Sequence, residues 1–387
     1  MSVTAPDGFI ASGVAAGIKA SGAQDVALVV NSGPEDVVAG VFTSNRFAAA
    51  PVLWSQQVVA DGSARAVVVN SGGANACTGP EGFADTHQTA EFVAESLQRN
   101  GFDIGAGDVV VCSTGLIGER LPMDLLLGGV EAAAAVLVAE GSTAARAIMT
   151  TDSVPKVTRV EADEFTIGGM AKGAGMLAPG LATMIVVLTT DASLSSEVAA
   201  RSLALASRMT FDRIDSDGCM STNDTVVLMA NGASGRQVSE KEFTNYLTQA
   251  CADLARQLIA DAEGASKEIC VSVRGAHTEN EAVDVARSIA RSNLLKCAIH
   301  GEDPNWGRVL SAIGTTSAAF HPDQVDVAIN GVWVCRGGSV GESRDLVSMA
   351  AREVVIDVEL RAGDSSADIW TNDLTAEYVH ENSAYSS

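Results

Sequence analysis

Short runs rich in β-branched residues recur along the chain, at 25–30, 66–70, 108–112, 183–190, 225–230, 268–274, 325–330 and 354–360. Between many of them lie stretches of helical periodicity, at 83–98, 122–139, 195–208, 240–261 and 279–291. The clearest is 240–261, where Phe243, Leu247, Ala250, Leu254 and Leu258 recur every three or four residues. A chain that alternates these two periodicities buries one face of each helix against a sheet, which predicts a layered α/β architecture. At 387 residues it exceeds one simple core and predicts two or three packed units. A shift in composition near 266–275 predicts a boundary before a C-terminal lobe. Neither an internal repeat nor a low-complexity linker interrupts the pattern.

Charge and cysteine usage narrow the function. The net charge is −23, from 48 acidic and 25 basic residues. Such a chain repels nucleic acid and anionic membrane surfaces, so an anionic substrate must be drawn by a local basic site. Seven cysteines are scattered with no C-x-x-C pair. That argues against a disulfide scaffold or a structural zinc site and fits reduced thiols in the cytoplasm. The first 13 residues carry neither a basic segment nor a long apolar run, so no signal peptide is expected. The apolar run 184–188 is far too short to span a membrane.

The segment 170–192, M-A-K-G-A-G-M-L-A-P-G-L-A-T-M-I-V-V-L-T-T-D-A, bears most on chemistry. A turn-rich stretch with Gly173, Gly175, Pro179 and Gly180 ends at Ala182, and a strand is predicted to start at Thr183. This layout suits self-cleavage. A hydroxyl directly after a peptide bond can attack the preceding carbonyl, and hydrolysis of the resulting ester frees a Thr with its own α-amine. An α-amine titrates near 7.7–8.0, against about 10.4 for Lys, so near neutral pH it accepts a proton far more readily than Lys172. The pattern equally suits an ordinary buried strand behind a Gly/Pro loop, since a small residue followed by Thr is common. Pattern alone leaves both readings open.

The run K-G-A-G-M-L-A-P-G-L-A-T-M closely resembles the self-cleavage signature of the ornithine acetyltransferase (glutamate N-acetyltransferase) family of arginine biosynthesis. The likeness continues in N-S-G-G-A-N-A-C-T-G from Asn70, C-S-T-G-L-I-G from Cys112, A-I-M-T-T-D from Ala147, D-S-D-G-C-M-S-T-N-D-T from Asp215, D-A-E-G-A-S-K from Asp261, H-G-E-D-P-N-W-G-R from His300 and E-N-S-A-Y-S-S from Glu381. These blocks span nearly the whole chain in the family's order. Gly180 departs from the pattern, where Asn or Ser is expected; it lies in the loop and should affect cleavage rate more than chemistry.

The resemblance implies an α/β fold, an αββα sandwich of the self-processing aminopeptidase-like type with a smaller C-terminal α/β lobe at roughly 275–387. It implies cleavage between Ala182 and Thr183 into an α chain, 1–182, and a β chain, 183–387, assembled as a heterotetramer or larger. Thr183 would be the nucleophile, with the Thr114 hydroxyl and the Gly115 N–H as oxyanion donors. Substrate contacts would come from Thr150 or Thr151, Lys172, Thr183, Glu263, Asn382 and Ser387. Lys172 suits a substrate carboxylate, and Glu263 suits the side-chain ammonium of ornithine. The implied reaction is ping-pong. Acetyl passes from N-acetylornithine to Thr183 and then to glutamate, without a cofactor; some family members also use acetyl-CoA as donor. A well-held acceptor amine outcompetes water because effective molarities can reach the order of 10⁵ M.

Rival patterns are weaker. Gly337-Gly338-Ser339-Val340-Gly341 matches G-x-S-x-G, and Ser339, Asp345 and His380 mimic a triad order, but only 46 residues follow Gly341. His300 and Asp303 have no second His nearby in sequence to complete a metal site. K-G-A-G is not the G-x-x-x-x-G-K-[ST] of a phosphate loop. A Thr-dependent amidohydrolase or aminopeptidase that passes its acyl group to water is the closest alternative.

Overall fold

The computed structural model describes residues 2–178 and 184–384. Ala182, Thr183 and Ser387 lie outside the described residues. The chain divides into two compact units, one of Met1–Asp212 with Cys219–Leu258, the other of Arg213–Gly218 with Ile259–Ser386.

The first unit contains two sheets. One runs in the order β1 (Phe9–Val14), β2 (Val26–Asn31), β4 (Ala66–Ser71), β5 (Val109–Thr114); the other runs β3 (Val37–Phe42), β9 (Thr225–Ala230), β8 (Ile185–Thr190), β7 (Thr166–Lys172), β6 (Lys156–Glu161). Strands β2, β4, β5, β8 and β9 are buried at every position. They must therefore be apolar on both faces, which explains why they read as continuous runs rather than as alternation. One face of the first sheet supplies Val29, Val67, Val69 and Val110, which form one core with Met170, Ile185, Val187, Val227 and Met229 of the second sheet. The opposite face supplies Leu28, Val30, Val68 and Val111, which pack on Val93 and Leu97 of α2 (Gly79–Arg99) and Leu126 and Val130 of α3 (Met123–Ala135). Helix α6 (Glu240–Ala260) is tied to the far edge of the second sheet, where Gln257 bonds both backbone groups of Val157. Helix α1 (Ala50–Val58) is fixed to β5 by Ser55 and Trp54, α4 (Ser142–Ala147) joins the inner core, and α5 (Ser196–Met209) lies along β3. The result is the expected αββα layering.

The second unit holds a sheet in the order β13 (Ser339–Val340), β12 (Val332–Arg336), β11 (Asp326–Ile329), β14 (Glu353–Glu359), β10 (Glu268–Ala276), β15 (Ser365–Asn372). Its core joins Val271, Val273, Ile356 and Ile369 to Val285 and Ile289 of α7 (Glu279–Ala290), Ile299 of α8 (Asn293–His300) and Val309 of α9 (Trp306–Ile313). A capping box between Thr278 and Glu281 starts α7. Helix α10 (Ala376–Ala384) follows β15.

Several expectations shift, and strands β1, β3, β6 and β15 also lie outside the expected runs. The helix expected over 122–139 stops at Ala135, because Val138 exchanges both backbone hydrogen bonds with Ala11 of β1, at 2.8 and 3.1 Å, and so joins the sheet edge. Strand β7 was not anticipated: Gly168 and Gly169 lower its β propensity, and its register is set by pairing with β6 and β8. Among the described residues no helix is long and apolar enough to cross a membrane.

Candidate active site

Strand β5 ends at Thr114, and the chain then turns through Gly115 at φ +133°. A Cβ at Gly115 would stand 2.5 Å from the Gly73 nitrogen and 2.6 Å from the Gly72 carbonyl carbon, so only glycine lets the two loops pass this closely. The loop after β4 is stitched to β5. Gly72 N–H donates to Thr114 O at 2.8 Å and Ala74 N–H to Leu116 O at 2.9 Å. Ser113 Oγ donates to Asn70 Oδ1 at 2.6 Å, and Asn70 Nδ2 donates to Gly73 O at 3.0 Å. From the segment just before β9, Asn223 Nδ2 donates to both Ala74 O at 2.6 Å and Ser113 O at 2.8 Å. The Thr114–Gly115 turn is thus held from three sides. Among the described residues the Gly115 N–H has no acceptor.

Lys172 closes β7 and is 1% exposed, in place of the exposed loop position that the glycines around it suggest. Its Nζ donates to Thr114 Oγ1 at 3.3 Å. A hydroxyl that accepts from an ammonium keeps its own proton for another acceptor, which is what an oxyanion donor requires. Lys172 pairs in register with Ile185, so β8, which begins two residues after Thr183, starts opposite it.

Lys172 is buried beside carboxyl groups that sequence reasoning left without a role. Asp152 Oδ1 accepts from Lys156 Nζ at 2.6 Å and from Gly173 N–H at 2.7 Å, and its Oδ2 accepts from Thr150 N–H at 2.9 Å. Burial alone would raise its carboxyl, but the ammonium groups of Lys172 and Lys156 and the Gly173 amide hold it below the usual range. Thr150 is thereby drawn into the Lys172 cluster and is half-buried, while Thr151 is exposed. Asp224 accepts from Met184 N–H at 3.1 Å. Burial pushes its carboxyl well above the usual range, and the amide of Met184, the charge of Lys172 and the hydroxyls of Thr43 and Ser221 oppose this only in part. Lys19 also feels this cluster: burial lowers its ammonium, while the charges of Asp25 and Asp152 raise it and that of Lys172 lowers it further.

Asp152, Lys156, Asn223 and Asp224 were legible as buried polar groups only faintly. Asp152 and Lys156 are four apart, and Asn223-Asp224 abuts the apolar run of β9. Cys112, two residues before Thr114, is no rival nucleophile, since burial pushes its thiol up to about 12.

The second unit carries Glu263 and Asn382, and it brings these two together: Asn382 Nδ2 donates to Glu263 Oε2 at 3.0 Å. Helix α10 is seated there by Thr375, whose hydroxyl donates to Gly264 O at 2.7 Å and accepts from Tyr378 N–H at 2.9 Å. Gly264, at φ +61°, comes so near that a Cβ would lie 2.2 Å from the Tyr378 nitrogen. The rival groups have other partners. His300 Nδ1 contacts Asp373 Oδ2 at 2.9 Å and Ser266 Oγ at 3.2 Å. Ser339 pairs with Arg336 across a hairpin, Asp345 bonds Ser343, and among the described residues no hydrogen bond joins Ser339 to Asp345 or His380.

A model of the ArgJ family matches residues 10–387. The chain is 66% identical to the arginine biosynthesis bifunctional protein ArgJ of Streptomyces avermitilis, over 100% of both chains. It is 54% identical to the protein of the same name from Mycobacterium tuberculosis, over 100% of this chain and 96% of that one. Among solved structures it is similar to an ornithine acetyltransferase from Mycobacterium tuberculosis complexed with ornithine, at 60% identity over 48% of this chain and 96% of that one, with a TM-score of 0.46.

Proposed function

The chain belongs to the ArgJ family, and from that premise we propose that it transfers the acetyl group of N-acetylornithine to glutamate through an acetyl ester on Thr183. The relatives are named arginine biosynthesis bifunctional protein, which fits a second activity; by the resemblance that activity would use acetyl-CoA as donor to the same acceptor. The observation that carries the reading is the Thr114–Gly115 turn, pinned against the buried ammonium of Lys172, with β8 starting in register two residues after Thr183.

The chemistry follows from these groups. Cleavage before Thr183 frees an α-amine, which takes the proton of Thr183 Oγ as that oxygen attacks the acetyl carbonyl. The oxyanion is met by the Thr114 hydroxyl and the Gly115 N–H, each worth on the order of 10²–10³ in rate. Ornithine leaves, glutamate's amine attacks the acetyl ester, and the same donors serve the second oxyanion. Lys172 and one of the Thr150–Thr151 pair, of which Thr150 is the one tied to Asp152, bind the substrate's polar groups. Glu263, Asn382 and Ser387 complete the substrate contacts on the strength of the resemblance. The two cleavage products remain together as αβ units that assemble further, in the cytoplasm.

The intact mass of the denatured protein tests this, with Thr183→Ala beside it. Two fragments in the wild type, one beginning at Thr183, and one uncut chain in the variant are expected. Acetyl release from acetylornithine that is indifferent to glutamate would replace the transferase with a hydrolase.

A further inference from the structure

Acetylornithine and glutamate share an α-carboxylate but end in opposite charges. A site that takes them in turn needs a separate partner for each end. Lys172 suits the shared carboxylate and Glu263 the ammonium of ornithine, so the second carboxylate of glutamate calls for a second cation.

The loop after β1 brings one to the oxyanion turn. Asp25 has a buried side chain whose Oδ1 accepts from Ala16 N–H at 2.6 Å and whose Oδ2 accepts from Ile18 and Lys19 N–H at 2.7 and 3.0 Å. A carboxylate that gathers three amides fixes the backbone around it. The Asp25 carbonyl accepts from Ser71 N–H at 2.8 Å, which ties this loop to the end of β4. Gly72 follows at φ +120°, and a Cβ there would stand 2.9 Å from Ile18 Cγ2 and 3.5 Å from the Ile18 carbonyl carbon. Gly72 N–H is the group that bonds Thr114 O, so the peptide joining Ile18 to Lys19 packs beside the Thr114–Gly115 turn.

Lys19 is half-buried, and its Nζ donates to Gln24 O at 2.7 Å. An ammonium has three donors. Among the described residues no carboxylate pairs with it. Both oxygens of Asp25 serve the loop amides, and those of Asp152 serve Lys156, Gly173 and Thr150. The charges of Asp152 and Lys172 nevertheless reach Lys19, so the three groups share one field. Lys156 is sealed against Asp152, whereas Lys19 has given up water without gaining a counter-ion. An ammonium in that position is stabilised by an anion that a ligand brings.

We propose that Lys19 binds the side-chain carboxylate of the acceptor glutamate and thereby separates acceptor from donor. Its ammonium is held beside the turn that serves the oxyanion, and the same charge repels the side-chain ammonium of acetylornithine. This rests on the transferase reading above.

In a ping-pong reaction kcat/KM for each substrate reports its own half-reaction. Lys19→Met keeps the length of the side chain and removes its charge. Its kcat/KM for glutamate should fall about 30-fold or more, while kcat/KM for acetylornithine changes less than about threefold. The wild type should prefer glutamate to its neutral isostere glutamine; Lys19→Met should lose that preference and Lys19→Arg should keep it. A Lys19→Met protein that retains the preference overturns the proposal, and so does a wild type that has none. An equal fall for acetylornithine and glutamate also overturns it, since that marks a residue that only shapes the loop. If Lys19→Met does not fold, Lys19→Gln keeps a donor for Gln24 O, and the same loss of preference is expected of it. Stoichiometric ornithine release without glutamate reads the first half-reaction alone. A wild type that lacks this release refutes the transferase reading, whereas one that shows it leaves any failure above with Lys19.

Discussion

Lys172 Nζ and Thr114 Oγ1 lie 3.3 Å apart in a buried setting, although they are 58 residues apart in sequence and belong to different sheets. The contact turns a threonine at a strand end into a hydroxyl whose acceptor side is occupied and whose proton is available. Thr114→Ala should lower kcat for acetyl transfer by about 10²–10³ with little change in KM, and Thr114→Ser should retain most of it. Steady-state kinetics on both variants, normalised to the cleaved fraction by mass, check this.

Gly115→Ala should be more disruptive than its single methyl suggests. The new Cβ would sit 2.5 Å from the Gly73 nitrogen on a backbone at φ +133°, so the turn must open. Loss of transfer activity comparable to Thr114→Ala is expected, with a fall in Tm of several degrees by calorimetry.

Lys156→Met tests the buried charge cluster. Asp152 and Lys156 are 2.6 Å apart with both side chains fully buried, and removing one partner of such a pair costs about 3–5 kcal/mol. Denaturant unfolding at neutral pH measures the loss. Because Asp152 is held below the usual carboxyl range, its contribution is present above the unfolded-state value near 3.9 and disappears as pH falls through the lower folded value.

Asp224 has the opposite sign. Its folded-state carboxyl titrates above the unfolded value, so the native state holds a proton that the unfolded chain releases, and stability drains away as pH rises above about 4. Asp224→Asn should therefore gain stability relative to the wild type between pH 4 and 7. Measured on Thr183→Ala backgrounds, which remain uncut, unfolding at the two pH values isolates this effect; a difference that does not change with pH refutes it.

Asn382→Ala should separate binding from folding. The Asn382–Glu263 hydrogen bond is exposed, and such surface contacts change stability by no more than about 0.5 kcal/mol. If both residues contact substrate, KM for acetylornithine rises about tenfold while Tm hardly moves. An unchanged KM would confine the pair to seating α10.

Much of the fold was readable because the inner strands are apolar on both faces and α6 repeats its apolar residues at helical spacing. Both signals are local. Strand β7 escaped because its two glycines carry no β signal and only its neighbours define it. The short helices α8 and α9 escaped because eight residues hold barely two turns of periodicity. At the site, the Thr114–Gly115 turn and the Thr183 junction were visible as motifs, whereas Asp152, Lys156 and Asn223 looked like ordinary polar residues. A buried polar group is defined by what surrounds it, and those partners lie up to 149 residues away in sequence.

The sequence by itself determined the layered α/β class, the ordered motif blocks and the family, since these depend on periodicity and on residue identity along one line. Only the tertiary structure decided that Lys172 is a buried strand residue bonded to Thr114, that Asn223 locks the turn, and that the buried Asp224 grips Met184 with one carboxyl oxygen. Hydrogen bonding and desolvation act through space over a few ångströms, and only folding brings residues so distant along the chain that close.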